Sequence, residues 1–152
     1  MVTPPGLTHV GRLELTYDTT LLFDTHAGAR GFCKVVAGTL NGPRLTGQVA
    51  DDGGDWLVFR SDGVIDTDSR MMIAAADGTM VYMRSRGCIR ATPEAIAAFR
   101  DDPDGDLSGH YYRCTPYFDV PPGPLSWLSR TVLLGMGAVS RRGSVIDLFE
   151  VQ

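Results

Sequence analysis

The stretch Val10-Gly11-Arg12-Leu13-Glu14-Leu15-Thr16-Tyr17 decides how the fold is read. Leu13, Leu15 and Tyr17 fall on one face, and Arg12, Glu14 and Thr16 on the other. A period of two is that of a half-buried strand. Similar segments follow, separated by turn residues: Gly31 to Val36, Arg44 to Val49, Trp56 to Arg60, Val64 to Ala76, Thr79 to Arg84, His110 to Cys114 and Val145 to Val151. Asn41-Gly42-Pro43, Asp51-Asp52-Gly53-Gly54, Ser61-Asp62-Gly63 and Asp77-Gly78 break the chain between them. Asp-Gly pairs suit tight hairpins because glycine accepts a positive φ. Pro116, Pro121, Pro122 and Pro124 predict an irregular loop. Trp127 to Ala138 reads as strand or short helix.

One helix is expected. Thr92 can cap it, Pro93 suits the first turn, and Glu94 meets the positive end of the dipole. The acidic run Asp101 to Asp106 ends it. That run resembles a calcium loop only loosely, because it lacks the closing Glu and a second helix. Many short strands and one helix predict an all-β chain, an antiparallel barrel or sandwich. With 152 residues, 43% hydrophobic and 21% charged, the chain fits one domain, 1–152. The 18 Gly and 9 Pro exceed the usual share of about 12% and favour short strands joined by turns.

The formal charge of −4 and pI near 5.2 argue against a nucleic-acid partner. Arg outnumbers Lys, of which Lys34 stands alone, a bias that a GC-rich genome produces without functional demand. Cys33, Cys88 and Cys114 form no CxxC, so neither a disulfide framework nor a zinc ribbon is expected. The N-terminus has no secretory pattern, and the apolar stretch Thr131 to Val139 is too short to span a bilayer. A cytoplasmic protein without membrane contact is the expectation.

No phosphate loop, dinucleotide fingerprint, HExxH or GxSxG motif is present. His9, His26 and His110 are too scattered for a metal site. Cys114 and His110 share a strand face, but lie roughly 13 Å apart at about 3.3 Å per residue, too far for a catalytic pair. The informative residues are polar ones on alternating strands. Asp66, Asp68 and Arg70 share a face, as do Arg44, Thr46 and Gln48. Arg60 lies on the side of Trp56 and Val58, and Tyr82 on the side of Arg84. Such faces either look into water or point into a barrel and line a pocket.

The ordered set Gly42-Pro43-Arg44-Leu45-Thr46-Gly47, Gly53-Gly54-Asp55-Trp56, Arg60-Ser61-Asp62-Gly63, Asp66, Arg70, Asp77-Gly78, Tyr82 and Gly87 resembles the family catalogued as domain of unknown function 3237. Tyr112-Arg113, Pro116, Phe118 and Trp127-Leu128 agree. The resemblance runs from about His9 to Val151. It implies a lipocalin-like antiparallel barrel able to hold a small molecule, with no cofactor and no metal. Ser129 and Asp119-Val120 depart from the family's usual Asn and Glu-Thr, so any substrate contact there would differ.

On this basis the expected function is cofactor-independent proton transfer on an oxygenated, polyketide-like molecule: cyclisation, isomerisation, dehydration or decarboxylation. Asp66 or Asp55 would be the base, with Arg70 and Tyr82 as electrostatic and proton-donating partners. Asp55 reads equally well as a turn residue. Arg44, Trp56, Arg60, Tyr112, Arg113, Trp127 and Ser129 would contact the substrate, Trp127 by capping a barrel end. A non-catalytic binding barrel is the alternative. A structural homo-oligomer, joined through Leu133-Leu134 beside Gly135-Met136-Gly137, is the other.

Overall fold

The computed structural model describes residues 2–152. Among the described residues nine strands form one antiparallel sheet: β1 (Leu7–Thr25), β2 (Gly28–Asn41), β3 (Thr46–Val49), β4 (Gly54–Phe59), β5 (Val64–Ala75), β6 (Met80–Arg90), β7 (Tyr111–Asp119), β8 (Leu133–Ser140) and β9 (Gly143–Val151). Apart from β3 and β4, consecutive strands pair with each other, and β9 returns to pair with β1. The sheet therefore closes on itself as an up-and-down barrel. β3 and β4 share one place in the ring, because both lie between β2 and β5. The bend at Ala50–Gly53 separates them, but Ala50 N–H still donates to Met72 O and Val35 N–H to Gly53 O.

Alternation sets the interior. Leu13, Leu15 and Tyr17 of β1 are buried, and Arg12, Glu14 and Thr16 are exposed. In β5 the inward set is Ile65, Thr67, Ser69, Met71, Ile73 and Ala75. The hairpin turns contain Gly63 at φ +82 and Gly78 at φ +87, as the Asp-Gly pairs predict. β1 loses register between Thr16 and Thr20. Beyond that break its tip pairs with the start of β2 but leaves Leu21 and Phe23 more than half exposed. A bulge re-aims a strand in this way.

Two short elements cover the barrel ends. The helix α1 (Pro93–Asp101) begins where expected, with Thr92 Oγ1 accepting from Ala95 N–H at 3.2 Å. Its Phe99 is buried, with the ring 6.5 Å from that of Phe59. Arg141 fixes the helix end by donating to Phe99 O at 3.0 Å and Arg100 O at 3.1 Å. At the other end the 3₁₀ turn Ser126–Arg130 buries Leu128.

Two expectations change. The run from Trp127 splits into that turn and β8 rather than forming one element. Pro116 sits within β7, opposite Ser85. β7 pairs with β8 only at Arg113 and Cys114, so the flank beyond has no partner strand and tolerates a residue without an N–H. Leu133 points into the barrel, whereas Leu134 is partly buried and Met136 is exposed on the outer face. Among the described residues no helix is long and apolar enough to cross a membrane.

Candidate functional site

The middle of the barrel is polar. Strand register places Cys33 opposite Asp55, Asp55 opposite Ser69 and Ser69 opposite Ser85. All four side chains point inward from β2, β4, β5 and β6 in one row. Tyr17 reaches the row from β1 and Ser144 from β9. Apolar side chains close the barrel above and below, with Phe59, Ile65, Ile89 and Phe99 on the α1 side and Leu40, Ile73, Val81 and Leu133 on the other.

Among the described residues Asp55 is the one charged-type residue in this interior, at 4% exposure. Tyr17 donates its phenol proton to Asp55 Oδ2 at 2.5 Å, and Ser69 donates its hydroxyl to Oδ1. The Ser144 hydroxyl lies 3.0 Å from the Tyr17 oxygen. Burial raises the Asp55 pKa above the ordinary carboxylate range, and the two hydroxyl bonds offset only part of that. The nearby Asp68 carboxylate pushes the same way. Burial also raises Tyr17 and Tyr112 well above the usual phenol range. The Cys33 thiol is pushed up to about 12, and Cys114 is raised too, again by burial. Both thiols are free and stay protonated, as expected of inert buried cysteines.

Among the described residues two interior hydroxyls, Thr67 Oγ1 and Ser85 Oγ, are buried without a hydrogen bond of full geometry, the nearest polar groups being the Tyr112 phenol and the Cys114 thiol. Tyr112 lies beside Thr67, and its ring passes over Gly137, where a Cβ would sit 2.2 Å from Tyr112 Cδ1. Gly137 therefore makes the room that the phenol occupies.

Of the residues singled out in the sequence, Asp55 and Tyr112 face this interior. Trp127 is half-buried at a barrel end, with the Arg44 guanidinium 3.7 Å from its ring. The others do not line the interior. Arg44 is half-exposed near Glu150 at 3.6 Å. Arg60 pairs with Asp62 and, at 3.4 Å, with Asp66 on the outer surface. Arg70 faces outward beside Asp68 at 3.6 Å. Tyr82 lies on the outer face between inward Val81 and Met83. Arg113 also faces outward, donating to its neighbour's carbonyl at Tyr112 O and lying 4.7 Å over the Tyr111 ring. Ser129 is exposed and bonds Ser126 O. Trp56 is 49% exposed, against Phe32 at 4.7 Å. The expectation that charged faces converge inside is thus corrected. Ile65, Met71 and Ile73 claim the interior side of β5, and turning Asp66 or Arg70 inward would strand a charge without water.

Sequence reading missed Tyr17, Thr67, Ser69, Ser85 and Ser144. A signal existed: each is a polar residue on the apolar side of an alternating strand. Trp56 and Asp66 instead border an open outer groove of about 660 Å³, with Phe23, Arg30, Phe32 and Arg86. Among the described residues, no cluster of His, Cys, Asp and Glu is arranged to hold a metal.

A closed antiparallel barrel with a buried acid at its centre is the class that fold and site define. The chain belongs to the family described as Protein of unknown function (DUF3237), whose model matches residues 5–151. The UPF0311 protein RPA1785 of Rhodopseudomonas palustris is 24% identical over 134 residues, 88% of each chain. Its crystal structure superposes with a TM-score of 0.90 at 20% identity, covering 99% of this chain and 100% of that one. A beta-barrel like protein from Acinetobacter baumannii gives 0.82 at 22% identity, covering 100% and 99%. A Penicillium herquei protein described as an enzyme gives 0.73 at 17% identity, covering 100% and 98%.

Proposed function

We propose that this protein is a cofactor-independent enzyme. It binds a small oxygenated molecule among the polar residues at the barrel centre and moves a proton with Asp55. The observation that carries this reading is the buried Asp55 carboxyl, held by two hydroxyls and no cation. A carboxyl with a raised pKa keeps its proton where an exposed one has lost it, and so acts as a general acid. Donation to a substrate carbonyl or hydroxyl would leave a carboxylate that the Tyr17 and Ser69 hydroxyls stabilise. That carboxylate would then take a proton from a second substrate atom and restore the resting state. Isomerisation and cyclisation need only these two transfers. Dehydration adds loss of water after the first.

The Thr67 and Ser85 hydroxyls support the reading, because their bonds to Tyr112 and Cys114 are weak and leave lone pairs for a polar guest. Binding would require one of the end covers to move. A protein of this fold from Penicillium herquei is described as an enzyme, so the architecture is compatible with catalysis. Three free cysteines suit a reducing compartment such as the cytoplasm. The second reading, a binding barrel without turnover, rests on the outer groove and its exposed Trp56 and Phe23.

The test is a chromosomal Asp55→Asn replacement compared with a deletion strain by untargeted metabolite analysis. Loss of one positioned acid typically costs about 10²–10⁴-fold in rate. The metabolite that accumulates on deletion should accumulate equally with Asp55→Asn, while the purified variant stays folded. A variant that is folded and restores the normal metabolite pattern would overturn the reading.

A further inference from the structure

The outer face of the sheet sets two arginines directly opposite each other, an arrangement that costs stability. Register sets Arg70 of β5 directly opposite Arg84 of β6, and Arg84 opposite Tyr117 of β7. Like charges facing each other across a strand pair destabilise it. Arg86 lies one outward step further along β6, opposite Asp68. Three guanidinium groups therefore crowd a face with one carboxylate, which reaches two of them. Asp68 lies 3.6 Å from Arg70 Nε and 3.7 Å from Arg86 Nη2. Among the described residues Arg84 makes no ion pair, and its guanidinium carbon sits 5.4 Å over the Tyr117 ring.

These side chains border a hollow of about 360 Å³. It adjoins the larger groove, since Asp68 and Arg86 line both, and Trp56, Asp68 and Arg70 border a hollow between them. The groove is charge-balanced, with Arg30 and Arg86 against Asp66 and Asp68, and its walls are aromatic. Trp56 and Arg70 are diagonal neighbours on β4 and β5, at a spacing of about 7–8 Å between such positions.

We propose that this outer cleft binds a flat aromatic carboxylate. Its anionic head lies between Arg70 and Arg84, and its ring rests on Trp56 and Phe32. Arginine forks grip carboxylates through paired, charge-assisted hydrogen bonds. The head supplies the negative charge that the facing arginines lack, and the diagonal spacing matches a head joined directly to a fused ring. The cleft is on the opposite side of the sheet from Asp55, so the proposal stands or falls apart from the catalytic reading.

The probe is 2-naphthoate, titrated calorimetrically into the intact protein. Saturable binding with a Kd of about 1 mM or tighter is expected. Arg84→Gln and Trp56→Ala should each weaken it about tenfold or more, and neutral 2-naphthamide should bind the native protein about tenfold more weakly. Without ligand, Arg84→Gln should raise the thermal midpoint by about 1–3 °C, because the facing like charge is gone. That rise also shows the variant folded. The proposal is overturned if no saturable binding is seen, or if 2-naphthamide or acetate binds as tightly as 2-naphthoate. Unchanged affinity in Arg84→Gln overturns it too. So does a dimer in sedimentation that Arg84→Glu dissociates, since the face would then meet a second copy of the chain.

Discussion

Replacing Tyr17 with Phe removes one oxygen and keeps the ring. In the native protein that oxygen donates to Asp55 Oδ2 at 2.5 Å and lies 3.0 Å from the Ser144 hydroxyl. Both partners are buried. A buried polar group left without its bond costs about 1–3 kcal/mol. For a chain of this size each kcal/mol moves the midpoint by about 2–4 °C, so Tyr17→Phe should melt about 2–12 °C lower. The Tyr17 bond also restrains the rise in the Asp55 pKa, so its loss raises that pKa further. The sign of the pH effect follows. A folded-state carboxyl raised above its unfolded value holds a proton that the unfolded chain releases, so stability falls as pH climbs from the ordinary carboxylate range through the raised value. Tyr17→Phe extends that fall to higher pH. The gap between the two proteins should therefore be smallest in acid and widen as pH rises past the native Asp55 value. Urea unfolding of wild type, Tyr17→Phe, Asp55→Asn and the double variant, from about pH 4 to 9, measures both effects. The cycle should show a coupling of about 0.5–3 kcal/mol. A coupling below about 0.3 kcal/mol, or a gap that does not change with pH, would mean that the Tyr17 phenol does not hold the Asp55 carboxyl.

Gly137→Ala should destabilise by about 1–3 kcal/mol or more in urea unfolding, because its Cβ would overlap the Tyr112 ring at 2.2 Å. Gly109→Ala, with nothing within 4 Å of its Cβ, should stay within about 0.5 kcal/mol of wild type. Arg141→Ala removes the donor that holds Phe99 O and Arg100 O, so hydrogen exchange in α1 should speed up by about tenfold or more while the barrel strands keep their protection.

Much of the fold was legible where one residue's neighbours suffice. Leu13, Leu15 and Tyr17 mark an inward face, Gly63 and Gly78 supply the turns, and Thr92-Pro93 starts the helix. Closure was not legible locally, because Arg12 opposite Asp147 and Leu13 opposite Ile146 are contacts between the two ends of the chain. The shared place of β3 and β4 is set likewise by partners on β2 and β5. The site was half legible. Asp55 stood out beside Trp56, yet β5 carries polar residues on both faces, so Asp66, Asp68 and Arg70 looked as able to turn inward as Thr67 and Ser69. The choice belongs to Ile65, Met71 and Ile73, whose burial takes the smaller, uncharged polar residues with them.

The carboxyl at the heart of the barrel keeps its proton beyond the usual range. A carbon-detected NMR titration of the Asp55 side chain, assigned by its disappearance in Asp55→Asn, reads this directly. The Asp55 signal should remain that of the acid after the exposed aspartates have ionised near about pH 4. A midpoint at or below that of the exposed aspartates would show Asp55 to be an ordinary carboxylate, with no proton to give.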